Sequence, residues 1–179
     1  MKIIQIARRE IAAYFSQPIA YVVVGTLLVL CGIYTFIITP FFVNGEASLR
    51  TFFEFCPFVL TFVIPAITMG LIAEDRRNGM LELLQSWPVG DFEFVAGKFI
   101  GAWTLICFAW VLSLIFPITV ATLGPIDWGP VMGGYVGLVI LSAAYLGLGL
   151  VASCLSRSQI VAYILGFALC FGFFVIGKA

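Results

Sequence analysis

The chain has 179 residues, of which 63% are hydrophobic and only 10% are charged, whereas a soluble domain carries about 25% charged residues. Nine basic and nine acidic residues give a net charge of zero, which excludes the basic surface that nucleic-acid binding requires. The chain has no histidine, which excludes Ser-His-Asp triad chemistry and histidine-ligated metal sites. This composition predicts an integral membrane protein.

The N-terminal segment 1–15 predicts an amphipathic helix that lies in the plane of the membrane interface. One side of this helix carries Lys2, Gln5, Arg8 and Arg9, whose long basic side chains can reach water. Apolar residues recur at helical spacing on the other side, namely Ile3, Ile4, Ala7, Ile11, Tyr14 and Phe15. An ordinary amphipathic helix of a cytosolic protein is the alternative.

Five long apolar runs follow this segment, and their lengths suit α-helices that cross a hydrocarbon core of about 30 Å. Because the hydrophobicity is continuous rather than alternating, it predicts an all-α protein and not a transmembrane β-barrel. The five cysteines lie inside these runs without a Cys-x-x-Cys pair and are predicted to be packing residues. The five runs are 18–38, 52–73, 99–123, 131–155 and 160–176.

The basic residues predict the orientation, because cytoplasmic loops of membrane proteins carry an excess of Lys and Arg. With the N-terminus in the cytoplasm, only Arg50 and Lys178 lie outside. The stretches 74–98 and 156–159 are then cytoplasmic, and five spans leave the C-terminus outside. We expect the native polypeptide to continue into a sixth span, so that the chain is truncated. The basic residues placed inside are Lys2, Arg8, Arg9, Arg76, Arg77, Lys98 and Arg157.

The predicted cytoplasmic loop 74–98 is more than a solvated linker. After the Asn78-Gly79 turn, a short amphipathic helix is predicted that ends at Pro88, and Asp91 is placed to cap a second helix leading into the third span. Either the bilayer interface or a groove on a protein partner must cover its apolar stripe. The stripe follows i, i+3, i+4, i+7 spacing and consists of Met80, Leu83, Leu84 and Trp87.

Two stretches of the chain resemble the permease subunits of type-2 ABC exporters, and most of all the gliding-motility branch called GldF. The first stretch is Arg9-Glu10, then Tyr14-Phe15-Ser16-Gln17-Pro18-Ile19-Ala20-Tyr21. The second reads Ile64-Pro65-Ala66-Ile67-Thr68-Met69, Glu74-Asp75-Arg76-Arg77-Asn78-Gly79-Met80-Leu81-Glu82-Leu83-Leu84, Trp87-Pro88-Val89 and Gly97-Lys98.

The resemblance implies a single transmembrane permease domain over 1–179, with 1–16 as an interfacial elbow helix, in a bacterial cytoplasmic (inner) membrane. It also implies a second permease subunit, identical or different, and a separate ATPase that binds ATP and Mg²⁺. Loop 74–98 would be the element that docks on this ATPase. The implied coupling residues are Glu74, Asp75, Arg76, Arg77, Met80, Glu82, Leu83, Leu84 and Trp87.

One face of the second span combines a carboxylate, prolines and hydroxyls. Pro57 and Pro65 remove intrahelical hydrogen bonds and are expected to kink the span. The face is either a helix–helix packing surface, on which hydroxyls bond freed carbonyls, or the lining of the substrate path or of the dimer seam. Its members are Glu54, Pro57, Thr61, Pro65 and Thr68.

The fourth span contains two overlapping G-x-x-x-G steps, formed by Gly129, Gly133 and Gly137. This spacing lets two helix backbones approach closely. The partner helix belongs either to the same subunit or to a second one.

No nucleotide-binding loop is present in the sequence. The nearest string ends in Gly97-Lys98, but Phe92 and Phe99 occupy the positions of the first glycine and of the Ser/Thr that a P-loop needs. Together with this missing nucleotide site, the resemblance to type-2 ABC permeases implies the membrane-spanning permease subunit of an ATP-driven exporter, which forms the translocation path and is not itself an enzyme. A non-transporting membrane scaffold is the alternative. A secondary transporter would require intramembrane charges or an internal repeat.

Overall fold

The computed structural model describes residues 2–16, 18–38, 49–73, 75, 90–124, 126–156 and 158–178. Within these ranges the chain is helical, which confirms the predicted all-α fold class. The helices, numbered in chain order, are α1 (Lys2–Ser16), α2 (Pro18–Ile33, followed by a π-helical turn over Tyr34–Ile38), α3 (Arg50–Thr68), α4 (Asp91–Ser113), α5 (Ile115–Leu123), α6 (Trp128–Leu155) and α7 (Gln159–Lys178).

In the described part of the chain, five helical segments are long and apolar enough to cross a membrane, as the apolar runs predicted. The protein is therefore an all-α integral membrane protein, and the described residues contain five candidate spans preceded by the amphipathic helix α1. The segments are Ala20–Ile37, Arg50–Thr68, Phe92–Thr122, Trp128–Leu155 and Gln159–Lys178.

The helix of the third span begins earlier than its apolar run. Helix α4 starts at Asp91, and the residue that caps it is Gly90 rather than the predicted Asp91. The Gly90 amide donates a hydrogen bond to the Glu93 carboxylate over 3.3 Å, which satisfies one of the amides that a helix start leaves unpaired. The first two turns of α4 thus carry polar residues and bring Lys98 to the start of the apolar run.

The third span is broken at Leu114, between α4 and α5. Pro117 has no amide hydrogen, so the carbonyl of Ser113, four residues earlier, loses its normal intrahelical partner. The Tyr135 hydroxyl on α6 donates to this carbonyl over 3.0 Å. A neighbouring span therefore satisfies the backbone group that the proline frees, as the apolar surroundings require.

The core of the bundle lies around the second span. Helix α3 packs against α2, α6 and α7, and its residues Cys56, Leu60 and Ile64 are fully buried. The thiols of Cys31 on α2 and Cys56 lie 3.6 Å apart, and both cysteines are free and buried. These two cysteines serve as packing residues between the first two spans, as predicted.

Candidate functional site

Most of the predicted coupling residues lie outside the described part of the chain. Only Asp75 of that set is described, so the ATPase-docking role of the set stays a prediction. The residues outside are Glu74, Arg76, Arg77, Met80, Glu82, Leu83, Leu84 and Trp87.

Asp75 and Lys98, near the two ends of loop 74–98, are described, and they meet in one cluster of charges. The Lys98 ammonium lies 2.7 Å from the Asp75 carboxylate and 3.3 Å from the Glu10 carboxylate. Asp75 follows the second span, Lys98 opens the third, and Glu10 belongs to α1. We call these three residues the Lys98 triad.

The Lys98 triad is largely removed from solvent. The side chains of Lys98, Asp75 and Glu10 are 6%, 17% and 20% exposed to solvent, respectively. The ammonium also lies 5.2 Å from the centre of the Phe94 ring, a distance that permits a cation–π contact. A buried ammonium is tolerated only when opposite charges and hydrogen bonds compensate for its lost hydration, and here two carboxylates provide this compensation.

The two carboxylates of the triad also act on a nearby phenol, the side chain of Tyr14. Burial raises the pKa of the Tyr14 hydroxyl, and the negative charges of Glu10 and Asp75 raise it further. Each cause disfavours the phenolate. Tyr14 therefore remains a neutral hydroxyl beside the triad.

Close packing of α1 on α4 brings Glu10 to Lys98. A Cβ atom added at Gly101 would lie 2.7 Å from the Glu10 Cβ, so the absence of a side chain at Gly101 permits this approach. Ala7, one turn before Glu10, is also buried. Ile4 belongs to the predicted apolar side of α1 but is 73% exposed. The helix contacts α4 through Ala7 and Glu10 instead.

The end of the second span is held by the fourth span as well. The amides of Ile72 and Ala73 both donate to the Ser153 hydroxyl on α6 over 3.2 Å. These amides lie just before the start of loop 74–98. The first end of the loop is thus attached to α6 through Ser153 and to α1 through the Lys98 triad.

The predicted polar face of the second span is divided between two environments. Glu54 is half exposed and pairs with Arg50, one turn earlier, over 2.9 Å. Thr61 and Thr68 are buried and donate to carbonyls of their own helix, at 2.7 Å to Phe58 and 3.1 Å to Ile64.

The half of this face that carries Pro65 and Thr68 contacts other spans of the same chain. A Cβ atom at Gly166 on α7 would lie 3.3 Å from the Pro65 side chain, and one at Gly149 on α6 would overlap Thr68. Pro65 and Thr68 thus fit the packing interpretation. The substrate path or dimer seam stays a prediction for Glu54 and Pro57, at the other end of the face.

The predicted glycine face of the fourth span is not used for packing within the described chain. Gly133 and Gly137 are exposed, and a Cβ atom at either position would meet no other group within 4 Å. Gly129 serves the helix start, where its amide donates to Asp127 over 3.1 Å. The close approach to the second span in this part of α6 is instead at the neighbouring Gly134, where a Cβ atom would lie 2.6 Å from the Phe53 ring.

These features define the class of the protein: a multi-pass helical membrane protein whose N-terminal amphipathic helix is docked at the junction of its second and third spans. Comparison with protein families matches residues 37–179, about four fifths of the chain, to the family described as ABC-2 family transporter protein. The chain belongs to this family and is a membrane permease subunit of an ABC transporter. A comparison with curated proteins found no match.

The family match confirms the resemblance to type-2 ABC permeases that the motifs indicated. It also agrees with the prediction that the chain is a transport subunit rather than an enzyme. Permeases of this family typically work with an ATPase subunit.

Proposed function

We propose that this chain forms part of the translocation path of an ATP-driven exporter and receives the motion of a separate ATPase through loop 74–98. The observation that carries the proposal is the family match, combined with the motif Glu74–Leu84 in the predicted cytoplasmic loop. ATP and Mg²⁺ would be bound by the ATPase, since the sequence has no P-loop of its own.

The loop has the chemical properties that a docking element requires. Leu83, Leu84 and their neighbours Met80 and Trp87 form an apolar stripe on a predicted helix, which can fill a groove on a partner protein. The charged residues of the loop would determine register and orientation, because charge pairs at an interface contribute more to specificity than to affinity. These residues are Glu74, Arg76, Arg77 and Glu82.

A double substitution in the stripe tests the docking proposal. Binding energy concentrates in a few buried apolar residues of an interface, so Leu83→Asp with Leu84→Asp should abolish co-purification of the proposed ATPase partner. Membrane insertion should be unchanged. The matched control is Leu83→Met with Leu84→Met, which keeps the stripe apolar and should keep the ATPase bound. An unchanged ATPase yield from the Asp variant would favour the scaffold alternative instead.

The proposed orientation has the N-terminus and loop 74–98 in the cytoplasm of a bacterium, with the spans in its inner membrane. The distribution of basic residues supports it, because seven of them then lie inside and two outside. The same orientation places the Arg50–Glu54 pair at the outer interface.

We also propose that the subunit works as one of a pair, with either an identical or a different partner. The exposed face of Gly133 and Gly137 supports a close helix contact between subunits, since this spacing favours helix association in membranes. The region of Glu54 and Pro57 is the other candidate for the seam.

Within the family, the motifs favour the gliding-motility branch as the nearest relative. The support comes from Tyr14-Phe15 and Pro18-Ile19-Ala20-Tyr21, together with the Leu-Leu and Gly-Lys positions of loop 74–98. Restored gliding in a strain that lacks its own permease of this branch would support the assignment, whereas correct insertion without restored gliding would contradict it.

A further inference from the structure

The Lys98 triad connects three segments that are far apart in the sequence. Glu10 lies in α1, Asp75 follows the second span, and Lys98 lies in the second turn of α4. Its two contacts, at 2.7 and 3.3 Å, are within the range of charge-assisted hydrogen bonds and close ion pairs. One ammonium thus holds both ends of loop 74–98 and the N-terminal helix.

The triad differs in environment from the other ion pair that the described residues show. Arg50 and Glu54 are one turn apart on a single helix, and their side chains are 85% and 53% exposed. An exposed pair of this kind constrains little, because water screens it. The Lys98 side chain is 6% exposed and its partners come from other segments, so its contacts resist separation of those segments.

Neighbouring backbone contacts make the same junction stiff. A Cβ atom at Gly101, one turn after Lys98, would lie 2.7 Å from the Glu10 Cβ. Helices α1 and α4 are therefore in close contact at this point. The amides of Ile72 and Ala73 are bonded to Ser153 on α6. A displacement applied to either end of the loop would therefore reach α1, α4 and α6 together.

We propose that Lys98 is a positioning residue that joins α1 to both ends of loop 74–98, so that these elements move as one body when the ATPase displaces the loop. The inference rests on the proposed function for the source of that displacement. Lys98 touches neither ATP nor the cargo in this account. It transmits motion because it keeps the two loop ends and the interfacial helix at a fixed separation.

The variant that tests the proposal removes all three charges. Glu10→Gln with Asp75→Asn and Lys98→Met avoids the uncompensated charge that a single substitution would bury. Lys98→Arg is the conservative variant that keeps the positive charge. Lys178→Gln is the matched control, because it removes an exposed charge from the last turn of α7 and leaves the triad intact.

Two readouts are measured on the full chain. The first is the rate of trypsin cleavage at Arg76 and Arg77, adjacent to Asp75, without the ATPase. The second is permease-dependent ATP hydrolysis of the complex in lipid vesicles, with co-purification of the ATPase as the assembly control. For the triple variant we expect unchanged co-purification, cleavage about tenfold faster because the loop ends open locally, and permease-dependent hydrolysis lowered about tenfold.

Lys98→Arg and Lys178→Gln should stay within about twofold of wild type in both rates. A triple variant that matches Lys178→Gln in either rate overturns the proposal. If the triple variant fails to insert, Glu10→Gln, which releases α1 and leaves the Lys98–Asp75 pair intact, is compared with Lys178→Gln by the same criterion. If the wild-type chain does not co-purify with its ATPase, the proposed function fails, whereas the cleavage rates still decide whether the triad holds the loop ends.

Discussion

Replacement of Lys98 alone should destabilise the protein more than removal of the whole triad. Lys98→Met leaves the Glu10 and Asp75 carboxylates facing each other at 20% and 17% exposure. Loss of one partner from a buried ion cluster costs about 3–5 kcal/mol, because an uncompensated charge stays buried. For a chain of this length, each kcal/mol lowers the midpoint of thermal unfolding by about 2–4 °C. The expected shift is therefore about 6–20 °C.

The triple neutral variant gives the comparison that isolates this effect. Glu10→Gln, Asp75→Asn and Lys98→Met together leave no buried charge, so the unfolding midpoint should stay within about 4 °C of wild type. Glu54→Gln removes an exposed pair worth at most about 1 kcal/mol and should also shift the midpoint by no more than about 4 °C.

Buried thiols provide the assay. Cys31, Cys56 and Cys170 are free and buried in the spans, so a thiol-reactive fluorophore reports unfolding when the protein is heated in a mild detergent. An unfolding midpoint of Lys98→Met equal to that of Glu54→Gln would contradict the expected cost of the buried, unpaired carboxylates. A midpoint of the triple variant below that of Lys98→Met would contradict it equally.

Two further predictions concern assembly and orientation. Gly133→Leu with Gly137→Leu should dissociate the paired permease while each chain still folds, because a Cβ atom at either position meets no other group of the described chain within 4 Å. Gel filtration of the complex with its ATPase would show this dissociation. An unchanged pair would exclude the glycine face as the seam. Gly134→Leu is the contrasting variant, since its Cβ would meet the Phe53 ring at 2.6 Å and should lower stability by about 1–3 kcal/mol. A Ser86→Cys variant should resist membrane-impermeant thiol reagents added outside intact cells; rapid labelling there would contradict a cytoplasmic loop.

The sequence predicted the spans well, because the hydrocarbon core imposes a length and an apolarity that hydropathy alone reveals. It predicted them less well at their ends and interruptions. The 99–123 run is almost entirely apolar, yet its helix is interrupted at Leu114. Pro117 leaves the Ser113 carbonyl without its helical partner, and the Tyr135 hydroxyl donates to this carbonyl instead. Proline indicates a possible break, but the partner that stabilises it comes from another span and is not visible locally.

The glycine face shows a second limit of pattern reading. Gly133 and Gly134 are neighbours in the sequence but point about 100° apart around the helix. The G-x-x-x-G spacing selects Gly133 and Gly137, whereas the chain packs Phe53 against Gly134. Spacing identifies surfaces that permit close approach, and only the arrangement of the other helices decides which surface is used.

The Lys98 triad was the largest feature missing from the sequence-based prediction. Asp75 was expected to serve the ATPase contact and Glu10 was noted only as part of a motif. One local signal existed, since Glu10 lies one turn after Ala7 and one turn before Tyr14 on a helix that must bury one side. Its pairing with Lys98 depends on the approach of α1 to Gly101, which is a tertiary contact that no local pattern encodes.

The docking of loop 74–98 on the ATPase is tested by cross-linking, which identifies what the apolar stripe of the loop contacts. A photo-reactive amino acid is placed at Leu84 in the intact complex, and at Ile176, which is 76% exposed at the far end of α7, as the control. If loop 74–98 docks on the ATPase, position 84 cross-links to the ATPase, whereas position 176 gives only lipid adducts. Lipid adducts at both positions, with the ATPase present and active, would contradict this docking.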